Sequence, residues 1–240
     1  MNLSSADCLD LWERGLRLHP LDRGLLLLGA ALPETPSETL ADWPLGRRNR
    51  ALAELQCVSF GRKLEGQLSC PHCGEELEFQ MDGRTLFKTD AATAAPEAGG
   101  EGAPVVVQGQ SFRLPSTRDL AWAARETDPR LAAILLAKSC LKGRAEVIAW
   151  SDQDLEEIGE RMAVADPMAE VRLAFECARC GHHWEESLDI LVFLWRGIEG
   201  RAKRLLAEVH TLATAYGWAE KEILALSEPR RRLYLDMVRA

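Results

Sequence analysis

No stretch of this sequence approaches the roughly 20 consecutive apolar residues that a membrane-crossing helix requires; the run "LLLLGAAL" at residues 25–32 is far too short. Positive charge is also in deficit. The chain carries 29 lysines and arginines against 37 acids, a net charge of -8, which weakens non-specific attraction to phosphate backbones or anionic lipid. The opening "MNLSSADCLDLWERG" lacks the basic, apolar and small-residue zones of a secretory leader. A Gly-rich phosphate loop, a nucleophile elbow, a His-Glu-x-x-His pair and a paired-carboxylate constellation are missing too. These absences lead us to expect a non-enzymatic protein of the cytoplasm, with no membrane, small-molecule substrate or nucleic acid as its partner.

Cysteine is where the chemistry concentrates. Four of the seven cysteines form "CPHCG" at residues 70–74 and "CARCG" at 177–181, while Cys8, Cys57 and Cys140 stand singly in apolar surroundings. That usage fits a reducing compartment better than a disulfide framework. A Cys-x-x-Cys turn offers two thiolates from one tight loop, and Zn²⁺ takes four such ligands in a tetrahedron. Cys70, Cys73, Cys177 and Cys180 therefore read as one structural zinc site, split by a long intervening segment. Gly74 and Gly181 follow the second cysteine of each pair, where a positive φ lets backbone amides turn toward the sulfurs.

Spacing alone leaves two other readings open. A redox dithiol needs only one pair, usually at a helix N-terminus. His72, His182 and His183 flank the turns and would complete two separate two-cysteine sites, although exposed polar residues are their default reading. Four thiolates close the shell of a zinc ion and leave no open position for catalysis; they accept iron as well. The carboxylates of "DLEE" (154–157) and "HHWEE" (182–186) read as an acidic helix start and a solvated strand edge.

Hydrophobic residues make up 47% of the 240, enough for one large domain or two small ones. Basic residues gather in "GRRNR" (46–50) and "EPRRR" (228–232), which lie among acids and read as solvated helix faces. Of Trp12, Trp43, Trp122, Trp150, Trp184, Trp195 and Trp218, most are core candidates, although tryptophan also anchors interfaces.

Residues 4–32 have the apolar spacing of two short helices broken at His19-Pro20. Ser37 is a candidate cap, and Leu52, Leu55 and Val58 predict a helix from Leu45 to Phe60 closed by Gly61. Leu77, Phe79 and Met81 alternate with polar residues as a half-buried strand. Residues 88–104 have linker composition, and 105–114 read as a strand or hairpin. A helix pair follows, capped by Ser116 or Thr117 and broken at Asp128-Pro129; Ser151, with Asp154 three positions on, starts another helix that runs to about Ala165. Val171, Leu173 and Phe175 alternate as a strand, residues 188–216 are helical, and the tail reads as helix, turn and helix.

The resulting fold class is α+β, mostly α-helical: a split four-cysteine zinc ribbon with short antiparallel strands, surrounded by helices. Residues 1–62 form an N-terminal helical region, 63–87 and 170–190 the two halves of the ribbon, 88–110 a loop or linker, 111–169 an inserted helical unit, and 191–240 a C-terminal helical region.

Three stretches together resemble a family: the baseplate proteins encoded beside tail genes of contractile-tailed phages of the T-even type and of related contractile injection systems. "LGRRNRALAELQCVSFGRKLEGQLSCPHCGEELEFQMDGRTL" resembles that family's helix leading into a CPxCG turn and an acidic strand. "SFRLPSTRDLAWAARETDPRLAAILLAKSCL" is similar to its following helical unit, and "HTLATAYGWAEKEILALSEPRRRLYLDMV" to its helical ending. The resemblance implies a non-enzymatic part in building a baseplate, in contact with other baseplate or tail proteins. It places the chain in the bacterial cytoplasm during assembly, with a possible place in the finished particle. It brings no catalytic residues, and only the four cysteines transfer as a site. The Ala/Gly-rich stretch at 91–104 departs from the family pattern. Another class also competes, a zinc-ribbon protein that binds nucleic acid or serves transcription. The acidic balance and the lack of aromatics interleaved with lysines near the cysteines argue against it.

Overall fold

The computed structural model of the chain describes residues 3–86, 104–143 and 149–239. Ser4 opens α1 (Ser5–Gly15) with a capping box, accepting from the Asp7 amide while the Asp7 carboxylate accepts from its own. The chain breaks at His19-Pro20 into α2 (Pro20–Ala31), whose proline sits in the first turn where no amide is missed. α3 (Ser37–Ala41) is a single turn with Pro36 at its cap position, so Ser37 lies inside the helix and does not cap it. α4 (Leu45–Phe60) follows and ends at Gly61 with φ +93°.

β1 (Lys63–Ser69) and β2 (Glu76–Asp82) pair antiparallel, in register from Lys63 opposite Asp82 to Ser69 opposite Glu76, and lead into α5 (Gly83–Leu86). β3 (Val105–Val107) and β4 (Gln110–Phe112) form a tight hairpin. Its turn residues Gln108 and Gly109 both have positive φ, the geometry that matches strand twist. α6 (Thr117–Ala123) is capped by Ser116, α7 (Pro129–Cys140) by Asp128, and α8 (Asp152–Ala165) by Ser151. β5 (Val171–Glu176) and β6 (His183–Leu188) make a third antiparallel pair. α9 (Ile190–Tyr216), α10 (Glu220–Ala225) and α11 (Glu228–Arg239) end the described chain.

The fold is thus α+β and mostly helical, with three two-stranded sheets among the described residues. Two boundaries move. Leu188 ends β6 rather than starting the long helix, and the linker bound drawn at 110 moves back to before Val105, because the strand or hairpin expected at 105–114 is present as β3, its turn and β4. Residues 88–103 of the expected linker lie outside the described residues.

Apolar residues gather in three clusters. The main one joins α1, α2, α4 and α9 to the roots of the two cysteine-bearing hairpins through Leu64, Val171 and Leu188. A second lies among the β3–β4 hairpin, α7 and α8, around Phe112 and Trp150. A third, Leu212, Ile223 and Leu235, ties α10 and α11 to the far end of α9. At 27 residues, α9 is about 40 Å long, which lets one helix serve two clusters. Most tryptophans take the expected core role; Trp122, at 61% exposed, and Trp184, which lies outside all three clusters, do not.

The two basic clusters are not simply solvated faces. In "GRRNR", Gly46, Arg48 and Asn49 are buried at the joint between α4 and the α6–α8 unit. The Gly46 amide donates to Asp166 (2.8 Å), Arg48 donates to Asn49 and Thr117, and Asn49 donates to the carbonyls of Met168 and Ala169. In "EPRRR", Arg231 is only 3% exposed, pairs with Glu208 at 2.9 Å and donates to the Leu226 carbonyl. Helix periodicity cannot tell a buried, partnered arginine from an exposed one, because both occupy the same helical positions.

Candidate metal centre

Each cysteine pair sits at the tip of a hairpin, and the two tips are built alike. In the first, the Cys70 amide donates to the Glu75 carbonyl (2.8 Å) and the Gly74 amide to the Cys70 carbonyl (2.9 Å). In the second, the Cys177 amide donates to the His182 carbonyl (2.9 Å) and the Gly181 amide to the Cys177 carbonyl (2.8 Å). Gly74 (φ +71°) and Gly181 (φ +68°) occupy the left-handed region that closes both turns, where a side chain is strained.

The fold brings the tips together. Cys70 Sγ lies 3.7 Å from Cys180 Sγ, and Cys73 Sγ lies 3.6 Å from Cys177 Sγ, across 110 and 104 positions of sequence. All four sulfurs fall within 4.8 Å of one another. Four thiolates about 2.3 Å from a central ion stand about 3.8 Å apart at the corners of a tetrahedron, so this donor set fits a four-coordinate soft-metal site. All four sequence-predicted ligands are in it.

Contacts beyond the sulfurs hold the tips in register. Arg179 Nη1 pairs with Glu75 Oε2 at 3.1 Å. His72 stacks on His182 with ring centres 5.4 Å apart, and His182 stacks in turn on Trp184. Phe175 continues the column to Phe79, and Phe79 to Phe193 of α9. The alternation of Phe79 and Phe175 along their strands was the only sequence signal of this column; neither the cross-tip ion pair nor the histidine stack had one. Gly66, opposite Phe79 in the β1–β2 register, leaves room for the ring: a Cβ there would stand 2.5 Å from it. The histidines stack on the site, and the cysteine cluster does not include them.

The thiols titrate as a set. Burial opposes ionisation of Cys177, but the Cys180 and Arg179 amides and the neighbouring thiols outweigh it and bring its pKa down to about 7. For Cys180 the His182 amide favours the thiolate, yet burial and the neighbouring cysteines prevail and push it up to about 12. Cys73 is raised as well. One thiolate forms easily and the next ones resist, because negative charge accumulates within 4.8 Å. A bound cation offsets that repulsion and lets the remaining protons leave.

The lone cysteines are placed differently. Cys8 and Cys140 are buried, and burial raises both, Cys140 to about 11. Such thiols are inert core residues. Among the described residues, the four-cysteine set is the metal-competent cluster of three or more His, Cys, Asp or Glu side chains, and no helix is long and apolar enough to cross a membrane.

The fold and the site together define a mostly helical α+β protein with a split four-cysteine centre. Compared with protein-family models, curated proteins and solved structures, the chain matches none.

Proposed function

We propose that Cys70, Cys73, Cys177 and Cys180 hold a structural zinc ion, and that the protein is a non-enzymatic structural or assembly component of a phage-like contractile-tail baseplate. In this reading it acts in the bacterial cytoplasm during assembly, bound to other baseplate or tail proteins. The observation that carries the structural role is the closure of four sulfurs within 4.8 Å between hairpins 104 positions apart. Bound there, zinc supplies bond energy that ties two distant chain segments together. The ordered likeness of the helix, cysteine turn and acidic strand to baseplate proteins supports the context.

Metal analysis of the purified chain is expected to find about one zinc per chain, with visible absorbance of an iron–thiolate centre as the contrary result. Cys177→Ser is expected to lose the metal and much of the cooperative unfolding transition; a chain that folds equally well in chelator would sink the structural role. For the baseplate context, the gene is deleted from the genome that carries it and particles are imaged. Loss or malformation of baseplates is the expected outcome, and a normal yield of complete contractile tails overturns it. Salt-dependent, nanomolar-range binding to DNA or RNA would instead favour the nucleic-acid reading.

A further inference from the structure

α7 is apolar without interruption from Leu131 to Ala137, and its charged residues are Arg130 and Lys138, one near each end. A helix apolar on all sides belongs inside a core or an interface. One face meets that expectation: Leu136, Ala137 and Cys140 pack into the cluster around Phe112 and Trp150. The opposite face does not, since Leu131 is 46% and Leu135 42% exposed, with Ile134 half-buried beside them.

Two opposite charges complete the exposed face. Asp128, Leu131, Leu135 and Lys138 follow one another at intervals of three, four and three, the spacing of a seam between two helices. Asp128 caps α7 by accepting from the Arg130 and Leu131 amides, but both bonds fall on Oδ1 (2.8 and 3.1 Å) and leave Oδ2 free among the described residues. The Lys138 ammonium is exposed and has no ion pair or hydrogen bond among the described residues. At the start of the helix Glu126, Asp128 and Asp152 outnumber Arg125 and Arg130, the latter paired with Asp152. At its end stand Lys138 and Lys142, and the nearby acid, buried Asp119, is taken up by Arg113. The two ends are therefore of opposite sign.

We propose that α7 pairs with α7 of a second copy of this chain, antiparallel about a two-fold axis. The four seam positions are placed symmetrically, so a rotation that sets Leu131 against Leu135 of the second copy also sets Leu135 against its Leu131. The same rotation brings Asp128 to Lys138 of the other copy at both ends, the self-complementary form of a two-fold interface. A parallel pair would instead set acid on acid and lysine on lysine, and opposed helix dipoles also favour the antiparallel one. The seam is about 18 Å long. Three turns cover less than the roughly 1,200 Å² of stable complexes, so the dimer is weak and reversible. The pairing uses none of the four cysteines and does not depend on a role in contractile tails.

Sedimentation equilibrium of the full-length chain tests the pairing. The apparent mass is expected to climb with concentration from one chain toward two and to stop there, and salt at about 1 M, which screens charges beyond about 3 Å, is expected to weaken the association. Lys138→Glu sets acid against acid and is expected to weaken the dimer by about fivefold or more. Asp128→Asn keeps a capping side chain and, added to the Lys138→Glu chain, is expected to restore part of that loss, which a damaged fold would not allow. Leu135→Glu, at an exposed position, is expected to leave monomer alone with the unfolding midpoint of the dilute protein unchanged. A chain that stays monomeric up to about 1 mM would overturn the proposal and leave the seam to a different protein. A dimer as tight in Lys138→Glu and Leu135→Glu as in the parent chain would overturn it as well, by placing the contact elsewhere.

Discussion

At the scale of single residues, Asp119 shows how burial and bonding compete. It is 3% exposed, yet Arg113 reaches both its oxygens (2.6 and 2.7 Å), and the Ser116 amide and hydroxyl donate to one of them (2.8 and 2.7 Å). Burial raises its pKa, but these donors outweigh it and hold the carboxyl well below the usual range. A depressed folded pKa means that its contribution is fully present above the unfolded value of about 3.9 and is lost as pH falls below it. Asp119→Asn is expected to cost on the order of 3 kcal/mol at neutral pH. In urea melts taken from pH 7 downward, that deficit should shrink once the pH drops below about 4; a constant deficit would contradict the ion-pair account. Asp166 behaves oppositely: burial raises its pKa against the opposing Gly46 amide and the more distant Arg50 charge. Its contribution therefore belongs to the acid side and diminishes as pH rises through its folded value.

At the scale of elements, the joint between α4 and the α6–α8 unit rests on few groups. Asn49 is the hinge pin, since its amide nitrogen serves two carbonyls (2.8 and 3.0 Å) and its oxygen serves Arg48 twice (3.0 and 2.9 Å). Asn49→Ala would leave the buried Arg48 guanidinium and the Met168 and Ala169 carbonyls short of partners, at a cost of about 2–3 kcal/mol. Chemical denaturation measures this, and a change within about 0.5 kcal/mol, the range of ordinary surface substitutions, would show the joint to be dispensable. The helix starts at Ser116 and Ser151 were legible because a capping box is a local pattern. β1 was harder to read: Gly66 interrupts its alternation, and the reason, the Phe79 ring across the register, lies on another strand.

At the scale of the whole molecule, the cysteine centre joins two hairpins whose roots enter the main cluster, whereas the cluster around Phe112 and Trp150 has its own partners. Metal removal should therefore act unevenly. Hydrogen exchange in chelator is expected to accelerate together in β1–β2 and β5–β6, while the amides of α7 and α8 keep most of their protection. Uniform acceleration along the chain would mean that the clusters unfold as one unit.

The sequence by itself determined the four-cysteine set, the helical majority, the capped starts of α6 and α8 and the positive-φ glycines of both cysteine turns, because each is encoded within a few residues or by a donor chemistry with few solutions. Tertiary structure alone decided the rest. It turned Arg48 and Arg231 from apparent surface charges into buried, bonded groups, stacked His72 on His182, and paired Arg179 with Glu75. These contacts join residues distant in the chain, and local periodicity carries no information about which distant side chain will arrive.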